Sequence, residues 1–286
     1  MSYEFTKRDV DNATQEILDT MLGERNFSPV ESPKLYLLGG QPGAGKSTIC
    51  DRLMTEYPNT IFINPDTYRE LHPQYEAIKA ELKSEAVKVT GVFSGAVTEQ
   101  VLRTLAEQKY NLIIEGTFRT LEVPQRTTEG LREKGYTAEL HVIAVPKDIS
   151  YVGTLDRYFV GKTKGTGRAV NKEHYDLVVK NLPENLKALA ESGMFQSMHL
   201  HTREKEIFST ERDADMFMKQ FHREIGRRLD LVQGKDLADR IDFINQCLTN
   251  EEKNGVTAIA KTPIAEIRKE LQSIQKSRNI NAEQRR

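Results

Sequence analysis

The stretch Gly40-Gln41-Pro42-Gly43-Ala44-Gly45-Lys46-Ser47 fits the phosphate-loop spacing G-x-x-x-x-G-K-[ST] at every position. Its glycines let backbone N–H groups turn inward around a polyphosphate, and a following helix adds the positive end of its dipole. Lys46 would reach the outer phosphates, and the Ser47 hydroxyl would ligate Mg²⁺. Together with Thr48, the first residue after the motif, these residues are the candidate ATP site. The flanks agree: residues 34–39 read as a buried strand, and Ile49, Leu53 and Met54 recur at helical spacing. The guanine-specifying N-K-x-D pattern is absent, since Asn171-Lys172-Glu173-His174 does not complete it, so ATP is expected over GTP.

Two acids follow apolar strands. Asp66 ends Ile61-Phe62-Ile63-Asn64-Pro65-Asp66, where a carboxylate can accept the proton of an attacking hydroxyl. The same Asp after Pro65 could equally open a helix as its cap. Glu115 follows Leu112-Ile113-Ile114 and resembles a Walker B position, in contact with Mg²⁺ through water, or is simply the first loop residue. Gly116 permits close backbone approach, and Thr117 offers a hydroxyl. Arg157 falls in a helical stretch, and Arg168 follows residues 161–167, with three glycines and two lysines. That segment fits a lid bringing arginines over a transferring phosphoryl group, or a solvated basic loop. His199 and His201 share one strand face at i, i+2 with no third ligand in view, which predicts an exposed face and no metal site. Cys50 is expected as a packed free thiol.

The elements that must position these groups alternate. Strands are expected at 34–39, 60–64, 111–115, 138–145 and 197–202, with helices between. The fold class is therefore α/β, a parallel sheet flanked by helices, with ligands at the carboxyl ends of the strands. Residues 1–30 hold an isolated amphipathic helix, 31–204 form the core, and 205–286 form a helical extension in which the strand signal fades.

A net charge of −1 argues against a nucleic-acid partner. No apolar run reaches membrane-spanning length, no signal-peptide core begins the chain, and two distant cysteines suit a reducing compartment, so a cytoplasmic location is expected.

Residues 39–47, Ile-Asn-Pro-Asp (63–66), Ile-Glu-Gly-Thr-Phe-Arg-Thr (114–120), Val-Pro (123–124), Ala-Val-Pro-Lys (144–147) and Val-Val-Lys-Asn-Leu-Pro-Glu-Asn-Leu (178–186) resemble the zeta toxin family, in order, from about residue 31 to about 204. The resemblance implies a P-loop kinase-like fold. It implies ATP-dependent phosphorylation of UDP-N-acetylglucosamine, or a related UDP-amino sugar, at the sugar 3′-hydroxyl, which starves cell-wall synthesis. It implies Asp66 as catalytic base, Lys46 and Ser47 on ATP and Mg²⁺, and Arg157 and Arg168 as the phosphate clamp. Glu99, Glu115, Thr117 and Thr127 fall on the positions that hold the nucleotide sugar. A separate epsilon-type antitoxin chain is the implied partner. The loop before Arg168 is shorter and richer in glycine than the family leads one to expect, and 205–286 carry no family motif. A P-loop kinase of another small molecule or nucleotide, and a nucleotide-binding assembly protein without activity, are the alternatives. The acidic residues Asp66, Glu99 and Glu115 weigh against a polyanionic acceptor.

Overall fold

Alternation along the central strand sorts the molecule into layers. In β1 (Lys34–Gly39), Leu35 and Leu37 point to one side of the sheet and Tyr36 and Leu38 to the other, and all four are buried. A strand covered on both faces must lie inside a sheet flanked by helices. The computed structural model describes residues 3–82, 86–164 and 167–283, leaving out the side chains of 24 and 278–283.

The elements run α1 (Lys7–Glu24), β1, α2 (Lys46–Glu56), β2 (Thr60–Ile63), α3 (Tyr75–Leu82), α4 (Ala86–Glu107), β3 (Asn111–Gly116), α5 (Glu122–Glu133), β4 (Thr137–Ile143), α6 (Lys147–Lys162) and α7 (Lys172–Glu191). They continue as β5 (Ser197–His201), β6 (Glu206–Thr210), α8 (Ala214–Ile225), α9 (Leu231–Lys253), β7 (Ala258–Ile259), β8 (Thr262–Pro263) and α10 (Ile264–Glu283). The main sheet has the order β2-β3-β1-β4-β5-β6. Strands β1 to β5 are parallel, as expected for an α/β core, and β6 closes the edge antiparallel to β5.

The register sets the site. Gly39 pairs with Gly116 of β3 and Val142 of β4, and Leu38 pairs with Glu115. The carboxyl ends of β1, β3 and β4 therefore meet at one edge, with β2 beside β3. One face is covered by α1, α4, α7 and α8, whose Val10, Phe93, Val97, Leu182, Leu186, Phe217 and Phe221 join Leu35 and Leu37 in the largest core. The other carries α2, whose Ile49 and Leu53 pack on Tyr36, Leu38 and Ile113.

Three expectations change. The first helix is not isolated. Val10, Ala13, Ile17 and Leu18 are buried in the main core, and α1 starts with a Thr6–Asp9 capping box. The strand signal does not end at 205, because β6 forms a hairpin with β5 across the expected 204/205 boundary. Its side chains are mostly exposed, so no buried periodicity announces it. The expected helical extension over 205–286 is interrupted by the β7–β8 hairpin and becomes helical again only at Ile264. Beyond α8 the chain builds a second core: Leu237, Ile241, Ile244 and Leu248 of α9 and Ile264, Ile267 and Leu271 of α10 pack on Val152, Leu155 and Phe159 of α6.

Candidate functional site

The loop between β1 and α2 is shaped by glycines whose backbone no other residue would adopt without strain. Gly43 has φ +73°, and a Cβ there would lie 2.1 Å from the Ser150 carbonyl oxygen; Gly45 has φ +105°. Gly39 is needed for a different reason: a Cβ would fall 1.8 Å from the ring of Phe118. The loop carbonyls are held by side chains. Lys46 Nζ donates to Gly40 O at 2.9 Å and Gln41 O at 3.2 Å. Arg203 Nε donates to Ala44 O at 2.9 Å, and its Nη2 to Gly43 O at 2.6 Å. Gln41 Nε2 donates to Val145 O at 2.6 Å, so Gln41 contributes only backbone to the loop. Ser47 and Thr48 are exposed on the first turn of α2.

Lys46 is the electrostatic centre. Its side chain is 8% exposed, and its Nζ lies 3.8 Å from Glu115 Oε1. Burial pushes its pKa below the usual lysine value, the Glu115 charge opposes that shift, and the charges of Arg157 and Asp66 act on the same ammonium group with opposite signs. Three of the expected site residues, Glu115, Arg157 and Asp66, thus act on one buried cation. Cys50, on α2, has its thiol pushed up to about 12, chiefly by burial, and is an inert packed residue as expected.

Asp66 stands at the N-cap position of the 3-10 turn at Thr67–Leu71, where the cap reading puts it, but its side chain makes no capping bond. Instead its Oδ1 accepts from Arg69 Nε at 3.1 Å, and its Oδ2 accepts from Arg168 Nη1 at 3.0 Å. Asp66 and Arg168 are both about half exposed, at 52% and 50%. Arg69 is tied down in turn, donating from Nη1 to Val87 O of α4 at 2.7 Å. Arg157 is exposed on α6, beside Asp156, whose Oδ2 accepts from Arg240 Nη1 of α9 at 2.6 Å. The second core and this ion pair brace the helix that carries Arg157. Of the glycine-rich segment before Arg168, Gly165 and Thr166 lie outside the described residues.

Thr117 is half-buried at the end of β3, directly after Glu115 and Gly116. The chain behind it is held from α7. Asn185 Nδ2 donates to Phe118 O at 2.9 Å, and Asn181 Nδ2 to Arg119 O at 3.2 Å. Phe118 is buried at φ +51°, a conformation that these bonds and the fit against Gly39 maintain. Glu99 is exposed on α4 and Thr127 half-buried on α5. Among the described residues, neither makes a hydrogen bond or ion pair with the group around Lys46.

Sequence reasoning missed Arg69, Arg203, Asn181 and Asn185 as builders of this site. The i, i+3 spacing of Asp66 and Arg69 was a usable signal, whereas nothing local links Arg203 to a loop 160 residues earlier in the chain. The histidines also require correction. His201 is buried and His199 only 20% exposed, so the face is not open. On the neighbouring strand His141 pairs with His199 in register and Glu139 lies two residues before it, so these three side chains lie together.

The sequence profile described as Zeta toxin matches residues 18–213. The toxin zeta of Streptococcus pyogenes is 35% identical over 247 residues, covering 85% of this chain and 84% of that protein. The toxin zeta of Enterococcus hirae is 36% identical over 228 residues, covering 78% of this chain and 79% of that protein. A solved structure from work on the PezAT chromosomal toxin–antitoxin system of Streptococcus pneumoniae superposes with a TM-score of 0.77 at 26% identity, covering 86% of this chain and all of that one. No helix among the described residues is long and apolar enough to cross a membrane.

Proposed function

This chain belongs to the zeta toxin family, and on that premise we propose that it is an ATP-dependent kinase of UDP-N-acetylglucosamine, or a related UDP-amino sugar, acting on the sugar 3′-hydroxyl. The observation that carries the reading is Asp66. It is a carboxylate just after β2 whose side chain makes no capping bond and, among the described residues, is held by two arginine side chains, and its charge is felt by the lysine of the phosphate loop. A carboxylate so placed suits a general base.

The loop fits a nucleotide phosphate chain. Its glycines leave room where a Cβ would clash, and among the described residues Lys46 Nζ is engaged by the loop's own carbonyls and, more distantly, by Glu115. ATP with Mg²⁺, when bound, supplies the phosphoryl group and the cation that offsets its charge. The chain does the rest. Lys46 turns from the Gly40 and Gln41 carbonyls to the outer phosphates, and Ser47 offers its hydroxyl to the cation. Glu99, Glu115, Thr117 and Thr127 hold the nucleotide sugar. Asp66 takes the proton of the 3′-hydroxyl as that oxygen bonds to the γ-phosphorus and the bond to the ADP oxygen breaks. Arg168 and Arg157 cover the transferring group, Arg168 by exchanging Asp66 for phosphate.

In the cell, the phosphorylated sugar would be lost to wall synthesis. A separate epsilon-type antitoxin chain would hold the toxin in check, in keeping with the toxin–antitoxin system described for the structural neighbour. The test is ADP release with a panel of acceptors. Stimulation by UDP-N-acetylglucosamine or its relatives supports the reading. Stimulation by another acceptor alone replaces it with a different kinase, and no turnover with any acceptor leaves a nucleotide-binding protein. Expression in growing bacteria should lyse them, and Asp66→Asn should relieve the toxicity.

A further inference from the structure

Glu139 and His141 on β4 and His199 on β5 lie on the Tyr36 side of the sheet, under α2, where the ring of His141 tilts against Tyr36. We propose that these three residues bind one transition-metal cation of the Zn²⁺ class, through Glu139 Oε2, His141 Nε2 and His199 Nε2. The three atoms lie within 4.8 Å of one another. Glu139 Oε2 is 3.6 Å from His141 Nε2 and 3.9 Å from His199 Nε2. Bonds of about 2.0–2.2 Å to a tetrahedral ion place ligand atoms about 3.3–3.6 Å apart; the two imidazoles stack with centroids 4.5 Å apart and planes 6° from parallel, so binding has to turn one ring until both lone pairs meet at the ion.

A second observation points to a ligand. His141 is 3% exposed, and its Nε2, buried against the carboxylate, has no hydrogen-bond partner. A buried ring nitrogen without a partner carries a desolvation cost that a metal bond would remove. The far side of each ring is already oriented. His141 Nδ1 lies 3.0 Å from His201 Nε2, and His199 Nδ1 lies 3.1 Å from Glu206 Oε2. With the hydrogen on each Nδ1, both Nε2 atoms carry a lone pair, that of His141 nearest the Glu139 carboxylate and that of His199 met by the Ser197 hydroxyl. A carboxylate or other acceptor behind a ligating imidazole is the arrangement that fixes its tautomer.

The remaining contacts fit. Lys34 Nζ donates to Glu139 Oε1 at 2.9 Å, leaving Oε2 for the ion. The Ser197 hydroxyl, 2.8 Å from His199 Nε2, holds the lone pair that the cation would take over. His199 and Glu206 are partly exposed at the sheet edge and give a route of entry. Two imidazoles and one carboxylate suit Zn²⁺ or its borderline neighbours rather than Mg²⁺. Such an ion would pin β4 to β5. It is separate from the Mg²⁺ expected at Ser47.

The test uses the full chain, stripped of metal and free of any polyhistidine tag. Zn²⁺ is titrated in excess Mg²⁺, with Co²⁺ absorption as the reporter of coordination. The expected result is one equivalent bound, a tetrahedral Co²⁺ spectrum and a raised melting temperature. His199→Ala should abolish the Co²⁺ spectrum. Glu206→Gln, a surface change that touches no ligand atom, should weaken affinity about tenfold to a hundredfold. Failure of the wild type to bind a stoichiometric ion overturns the proposal and shows the buried nitrogen to be met by a proton. Unchanged binding in Glu206→Gln and in a folded His199→Ala also overturns it, because the ion then sits elsewhere. Neither result bears on ADP release, so the kinase reading stands or falls separately.

Discussion

Around Lys46 the carbonyls of Gly40, Gln41, Gly43 and Ala44 accept from two long side chains, Lys46 itself and Arg203. Around Asp66 the partners are also cations, Arg69 and Arg168, but there the carboxylate and Arg168 are half in water. The difference is one of dielectric. A hydrogen bond in the buried loop is strong, and leaving its acceptor unmet is costly. An exposed ion pair contributes only about 0–1 kcal/mol and is readily exchanged. On the proposed reading, the hold of Arg203 on the Gly43 and Ala44 carbonyls is set before ligand arrives, while Lys46 and the acid and arginines beside it change partners as phosphate and sugar enter. That division suits phosphoryl transfer, which depends on a fixed cradle and on groups that close over the reacting atoms.

Substitutions on the two sides should separate accordingly. The largest expected effect is Asp66→Asn, which lowers sugar-dependent ADP release on the order of a hundred- to ten-thousand-fold while ATP affinity, read by titration, is retained. If most of kcat survived, Asp66 would be only a loop residue and Glu115 the next candidate base. Lys46→Ala, on the buried side, should cost roughly a hundred- to thousand-fold in turnover and, unlike Asp66→Asn, most of the ATP affinity as well. Turnover equal to wild type would undo the phosphate-loop assignment. Arg203→Ala should lower stability in denaturant melts by about 1–3 kcal/mol for each carbonyl it leaves buried and unmet, and should weaken ATP binding through a loosened loop. Intact stability and affinity would show that the loop holds its shape without it. Glu99→Ala should reduce sugar-dependent turnover and toxicity while leaving ATP affinity and the melting transition nearly as in wild type. Parallel loss of ATP binding would remove Glu99 from the sugar pocket. The smallest expected effect is Arg168→Ala on stability, within about 1 kcal/mol, because its ion pair with Asp66 is half exposed. A larger loss would mean that the pair is a fixed strut and not an exchangeable contact.

The legible parts of the fold were those written in local pattern. β1 is a continuous apolar run before the phosphate loop, and its expected and observed bounds agree at 34–39. The edge strand β6 was not legible, because main-chain bonds to β5 hold it while its side chains stay exposed. The β7–β8 hairpin is only two residues on each side, too short to interrupt a helical pattern. In the site, the loop, Asp66 and Glu115 were readable from their place after apolar strands. Pro65-Asp66-Thr67 does start a 3-10 turn, and that the Asp66 side chain leaves its cap bond unmade and turns to Arg69 and Arg168 required the structure.

The sequence by itself determined the glycine-rich loop between β1 and α2, because that motif is eight consecutive residues whose spacing is read locally. It determined the alternation of strand and helix, and hence which end of the sheet would carry ligands. Only the tertiary structure decided which distant side chains complete these pieces. Arg203 reaches the loop from beyond β5, Asn181 and Asn185 hold the backbone after β3, and Glu139 and His141 stand beside His199. The physical reason is the same in each case. Strand register and helix packing create these contacts between residues far apart in the chain, and no local periodicity records a partner on another strand.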